Sequence, residues 1–162
     1  MHDLQKSNQN GFWMSTDKRY LDLDTIYRYL NEEAYWSKGI AKELVIVSIE
    51  NSTICYGIFK GNPGEGKAEQ VGFARVVSDL VRTSWVGDVF ILPEYRGLGL
   101  SKWLIGEITE HPKLKGTGFN LTTRDAHTLY SQFGFKPLEQ PEMRMYRPHN
   151  WDDMKKAYNI SK

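Results

Sequence analysis

Cysteine, net charge and long apolar runs are scarce in this chain, and each shortage closes a class of function. There is one cysteine, Cys55, in 162 residues. It has no partner for an internal disulfide, so a reducing cytoplasm is the expected setting. It sits in the apolar run Ile54-Cys55-Tyr56-Gly57-Ile58-Phe59 and reads as a small core residue, with a reactive nucleophile as the sharper alternative. Lysine and arginine number 21 against 20 aspartates and glutamates. That balance argues against a dedicated nucleic-acid binder, which carries a strong basic excess. No run approaches the ~20 apolar residues of a membrane span. Met1 to Asn10 is polar, without the apolar stretch of a secretory leader. No membrane partner is expected, and no metal-ligand set is read from the sequence.

Aromatic residues, by contrast, are abundant: five Trp, nine Tyr and seven Phe. They favour a packed core and a pocket with aromatic walls. Length and an apolar fraction of 40% fit one domain with its own core.

Residues 1–11 read as a flexible N-terminal arm, and Phe12-Trp13-Met14-Ser15 as a short first strand. Asp24 is placed to cap a helix bearing Ile26, Tyr27, Leu30 and Ala34, a 3.6-residue stripe. Residues 40–50 are ambiguous: Ile40, Leu44 and Val47 have helical spacing, while the β-branched run around Val45 leans toward strand. Thr53 to Lys60 and Gln70 to Val77 read as strands of a hairpin around the loop Gly61 to Gly66. Thr83 to Leu92 is a third strand, with Val86, Asp88, Phe90 and Leu92 on one side and Gly87, Val89 and Ile91 on the other. A helix with Leu100, Leu104, Ile105 and Ile108 on one face follows and ends before Pro112. Gly118 to Thr122 is a short strand. Asp125 is read as the cap of a further helix through Ala126, Leu129, Tyr130 and Phe133, stopped by Gly134. Met143 to Tyr146 is read as a final strand, and residues 148–162 as a polar C-terminal tail with room for a short helix.

The junction Val89-Phe90-Ile91-Leu92-Pro93-Glu94-Tyr95-Arg96-Gly97-Leu98-Gly99-Leu100-Ser101-Lys102 carries the most information. An apolar strand turns through two glycines directly into an amphipathic helix. A helix N-terminus has unpartnered N–H groups and the positive end of the dipole, and glycine lets a ligand come close to the backbone. Anion binding and an ordinary strand–helix connection both fit this pattern. A Walker A loop is excluded, because Lys-Ser/Thr does not follow the second glycine at the required spacing. A dinucleotide fingerprint is excluded because Lys102 stands where the third glycine belongs.

Arg96-Gly97-Leu98-Gly99-Leu100-Ser101 resembles the pyrophosphate loop (R/Q-x-x-G-x-G/A) of the GNAT superfamily of acyl-CoA N-acyltransferases, with Ser101 at a position that more often holds Gly or Ala. Asp125-Ala126-His127-Thr128-Leu129-Tyr130-Ser131-Gln132-Phe133-Gly134-Phe135 is similar to that family's later A-x-x-L-Y-x-x-x-G-F helix. The resemblance covers residues 12–147. It implies a single α/β domain with a central, mostly antiparallel mixed sheet flanked by helices, and it makes residues 40–50 a second helix.

The resemblance further implies acetyl-CoA as co-substrate. Backbone N–H groups of Gly97, Leu98, Gly99, Leu100, Ser101 and Lys102, beside Arg96, would hold its pyrophosphate. The strand at Val89, Phe90 and Ile91 would pair with its pantetheine arm. An N–H at Val89 or Phe90 would polarise the thioester carbonyl. Thr123 is a further candidate contact, as is Arg124, which also balances Asp125. Tyr130 stands where the family has a general acid for the departing thiolate, although its place on the apolar stripe also fits a core tyrosine. Asp88, the acid on the central strand, is the candidate base, with a hydrogen-bonded structural aspartate as the alternative. His127 reads as a surface histidine. Tyr35 and Trp36, between the first two helices, are candidates for binding an ammonium acceptor.

The activity implied is N-acetyl transfer from acetyl-CoA to a primary amine of a small molecule or amino acid derivative, by direct attack in a ternary complex. Two alternatives stand beside it: a protein or aminoacyl-tRNA acetyltransferase, and a non-catalytic CoA-binding or sensing module. The family resemblance also leaves a homodimer open.

Overall fold

β-Branched and aromatic residues that alternate between two apolar surfaces require a covering layer on both faces, and the chain supplies one on each. In the computed structural model, which describes residues 2–161, six strands form one sheet in sequence order. They are β1 (Gln5–Ser7), β2 (Phe12–Ser15), β3 (Ile54–Lys60), β4 (Glu69–Ser78), β5 (Thr83–Ile91) and β6 (Gly118–Asn120). Neighbours are antiparallel except β5 and β6, which run parallel.

One face is covered by α3 (Leu100–Thr109) and α4 (His127–Ser131), whose Leu100, Leu104, Ile105, Ile108 and Tyr130 pack on Tyr56, Ile58, Val71 and Val86. Each fully buried aliphatic side chain of this kind contributes about 1.5–3 kcal/mol relative to exposure. The other face is covered by α1 (Leu23–Arg28) and α2 (Lys42–Glu50), which bury Ile26, Leu44 and Val45 with Phe73 and Phe90. A fifth helix, α5 (Trp151–Ala157), adds Trp151 to this second layer. Residues 42–50 are helical, as the family pattern implies for most of 40–50 and against their local strand propensity, while Ile40 and Ala41 lie before the helix. The stripe of Leu44, Val45 and Ile49 buried on the sheet outweighs the cost of β-branched residues in a helix.

Several expectations are corrected. Residues 5–7 are not a free arm. They pair with β2 through backbone bonds alone, which no side-chain pattern announces, and Lys6 meets Glu107 of α3 at 2.5 Å. Asp22, not Asp24, caps α1, its carboxylate accepting from the N–H groups of Asp24 and Thr25. Asp125 does not cap α4; the Ala126 N–H goes to Thr123 Oγ1 at 3.0 Å. Residues 143–146 join no strand, and Met143, Met145 and Tyr146 are exposed. The polar tail holds a short helix, α5, as its sequence allows. The outermost residues of the arm and tail, Met1 and Lys162, lie outside the described residues.

The alternation expected for β5 also fails, for one reason. Arg75 is opposite Gly87 and Phe73 is opposite Phe90, so Ala74 faces two residues, Asp88 and Val89. This β-bulge shifts the parity of the strand. Val86 and Ile91 consequently share one core and Phe90 lies in the other. Asp88 takes the left-handed conformation at φ 52°, which aspartate tolerates better than most side chains.

Candidate active site

β6 pairs with β5 only at Thr83, Ser84 and Trp85. Beyond Trp85 the two parallel strands part, leaving the edge of β5 from Val86 to Ile91 without a strand beside it. A cleft of about 900 Å³ opens here, lined by Gly87, Asp88 and Val89 of β5, the segment 121–123 after β6, and Ala126 and Tyr130 at α4.

At the end of β5 the turn runs into α3. Gly97 and Gly99 have φ of 78° and 76°, and nothing lies within 4 Å of where a Cβ would stand on either. Among the described residues, no acceptor meets the backbone N–H groups of residues 97–102, the next amide, that of Trp103, being the first to bond, to Gly99 O. Six successive free donors at the head of a ten-residue helix form an anion cradle open to solvent. The Arg96 side chain turns away from it. Its guanidinium donates to Ile91 O at 3.1 Å and to the Tyr29 hydroxyl at 3.0 Å, and the Tyr29 ring stacks on Phe90 at 4.0 Å. Arg96 therefore fastens the turn to the end of the strand. Leu100 is buried under the cradle while Leu98, Ser101 and Lys102 reach solvent wholly or in part.

Tyr130 is 8% exposed, and its hydroxyl bonds to no described residue. Burial, with Tyr35 and Asp125 nearby, pushes its pKa up to about 12, so it keeps its proton throughout the neutral range. Cys55 is buried at 1% exposure, its thiol pushed up by the same desolvation, which leaves it a core residue.

Asp88 projects from the bulge with both oxygens engaged. Arg75 Nε donates to one at 2.5 Å, and Trp36 Nε1 donates to the other at 2.8 Å. Trp36 arrives there because α1 widens into a π-turn at Tyr29–Glu33, closed by the Ala34 N–H on Tyr29 O at 2.9 Å. Ser37 Oγ on Leu30 O and Asn31 Nδ2 on Ile40 O then set the loop's path. Next to Trp36, the Tyr35 hydroxyl accepts from the Arg124 N–H at 2.9 Å, and the Arg124 guanidinium lies 3.9 Å from the Tyr35 ring centroid. The loop 34–39 thus straps the cleft from β5 to the segment after β6. His127 is exposed.

Sequence reasoning missed the far wall. Arg75 is a charged residue inside the apolar strand around Val71 and Val76, a legible signal of a buried ion pair. Arg144, Tyr146, His149, Trp151 and Tyr158 also line the cleft, although the first two read as part of a final strand and the other three as polar tail.

An unpaired edge of β5, a bulge beside it and an anion cradle at the following helix fit the family that the sequence resembles, and sequence comparison agrees. A sequence model of the acetyltransferase (GNAT) domain matches residues 55–137. The chain belongs to the GNAT superfamily and is an acyl-CoA N-acetyltransferase. A crystal structure of a GNAT-family protein from Xanthomonas campestris pv. campestris is 41% identical, with 85% of this chain and 93% of that chain covered and a TM-score of 0.78. The Gibberella zeae protein FG08082, named as an acetyltransferase, is 27% identical over 152 residues, 84% of this chain and 85% of that protein. The fold alone is shared with SA2161 from Staphylococcus aureus, at 20% identity and a TM-score of 0.66 over 85% of this chain and 99% of that one.

Proposed function

We propose that the protein transfers the acetyl group of acetyl-CoA to a primary amine of a small molecule, by direct attack while both substrates are bound. The observation that carries this reading is the parting of β5 and β6 after Trp85, with the protonated Tyr130 phenol in the gap. Acetyl-CoA supplies a thioester whose carbonyl an amine can attack. The N–H groups of residues 97–102 hold the pyrophosphate, with Arg96 keeping their turn in place. The edge of β5 at Val89 to Ile91 pairs with the pantetheine amides as an added strand would. A backbone N–H at Val89 or Phe90 stabilises the charge that develops on the carbonyl oxygen, a role whose loss costs about 10²–10³ in rate. Thr123, which fixes the start of α4, borders the same arm.

Tyr130 donates its proton to the leaving thiolate. Asp88 takes the proton of the attacking amine: a carboxylate offers about four lone-pair sites, and Arg75 and Trp36 use two of them. The enclosed cleft, strapped by Tyr35 and Trp36, favours a small acceptor over a protein or tRNA. Burial of Cys55 favours direct attack over an acyl-cysteine intermediate.

The test begins with thermal melting. At a hundredfold excess over Kd, acetyl-CoA is expected to raise Tm by about 5–10 °C, and no shift at saturation refutes the reading. Initial rates with varied amine and acetyl-CoA should then give intersecting lines; parallel lines would demand a covalent intermediate instead.

A further inference from the structure

Charge and aromaticity are distributed unevenly in the cleft. Its described lining holds two carboxylates, and each has a cationic neighbour. Asp88 is bonded to Arg75 and Trp36, and Asp125 pairs with Arg124 at 3.7 Å. The lining also holds Arg144, whose guanidinium faces the Trp85 ring at 5.0 Å from its centroid. Among the described residues no carboxylate pairs with Arg144, and none of its side-chain donors is satisfied by the protein. The same cleft is lined by Trp36, Trp85, Tyr146, Trp151 and Tyr158, flat apolar surfaces with polar rims. A second ammonium would find no carboxylate here without a cationic neighbour, whereas an anionic group would find an arginine fork held against an indole.

Resting on the acetyltransferase reading above, we infer that the acceptor is a primary aliphatic amine carrying both an aromatic ring and a carboxylate, of the kind represented by an aromatic α-amino acid. The ring packs among the tryptophans of the far wall, and the carboxylate meets Arg144. The amine is thereby left to face Asp88 on β5. Arg144, Tyr146 and Trp151 lie beyond the residues 55–137 matched by the family model, so this selectivity belongs to the C-terminal segment rather than to the acetyl-transfer machinery.

Three probes separate the terms: L-phenylalanine, phenethylamine (the same ring and amine without the carboxylate) and spermidine. Binding is read by quenching of tryptophan fluorescence, and transfer by thiol release with acetyl-CoA. L-Phenylalanine should bind about ten- to hundredfold more tightly than phenethylamine, as expected for hydrogen bonds between charged groups, and spermidine should not saturate. Arg144→Gln should erase the difference between the two aromatic probes while leaving the acetyl-CoA shift in Tm unchanged. Tighter binding of spermidine, equal binding of the two aromatic probes, or a preference that survives Arg144→Gln overturns the inference. Failure of acetyl-CoA to shift Tm strikes the donor reading instead, whatever the three probes do.

Discussion

Along β5, the 96–99 turn and the start of α3, what faces a ligand is mostly backbone: a bare strand edge and six N–H groups without partners. Across the cleft, along the loop 34–39, Arg75 and the segment 138–158, what faces a ligand is mostly side chain, brought from positions far apart in the chain. The first wall is specified by two glycines and a helix start that lie together in sequence. The second depends on where three separate segments end up. Under the proposed function, the backbone wall recognises what every acyl-CoA has in common, and the side-chain wall can be rewritten for each acceptor.

Substitutions should therefore separate the two walls, and the largest effect is expected where they meet. Tyr130→Phe should lower kcat by about 10²–10⁴, the usual worth of a positioned acid, with acetyl-CoA binding nearly intact. An unchanged kcat removes Tyr130 from the reaction. On the backbone wall, Gly99→Val places a β-branched residue at φ 76°. It should weaken acetyl-CoA binding about ten- to hundredfold, from strain of about 1–3 kcal/mol, without changing the relative preference among amines. On the side-chain wall, Trp36→Phe removes the indole donor to Asp88. The KM of the acceptor should rise about two- to tenfold, and isothermal titration with acetyl-CoA should be unaffected.

The smallest effect tests the scaffold beneath both walls. Tyr56 is fully buried and its hydroxyl has no hydrogen-bond partner. Tyr56→Phe should stabilise the fold by about 1 kcal/mol and leave both substrates' constants unchanged. Burial raises the Tyr56 pKa above that of the unfolded chain, so its contribution is complete below pH about 10 and declines as pH rises beyond that. Melting curves taken upward from pH 9 should therefore fall less steeply for Tyr56→Phe than for the native protein.

The same contrast explains what was legible beforehand. The turn at 97–99 and the stripe of α3 are local patterns, so both could be read from the sequence. Residues 40–50 needed the family resemblance, because their helical state is decided by burial against Phe73 and Phe90 rather than by propensity. The parity shift in β5 escaped because a bulge depends on how the partner strand pairs, and Ala74 gives no sign of it. The 138–158 wall escaped because Arg144, His149 and Trp151 are interspersed with polar residues and acquire meaning only when folded over the cleft. In the sequence Trp36 offers an aromatic ring, while the structure gives its N–H the specific partner, Asp88.

Asp88 can be regarded as an insertion that the sheet does not need. Strike it from the chain, and Val86, Val89 and Ile91 still fall on one face, with Gly87 and Phe90 on the other, as in an unbroken strand. Both hydrophobic layers would keep their residues. What would vanish is the carboxylate, its hold on Arg75 and Trp36, and the kink where the sheet opens. One position in β5 is thus spare for architecture and free for the role proposed for it in proton transfer.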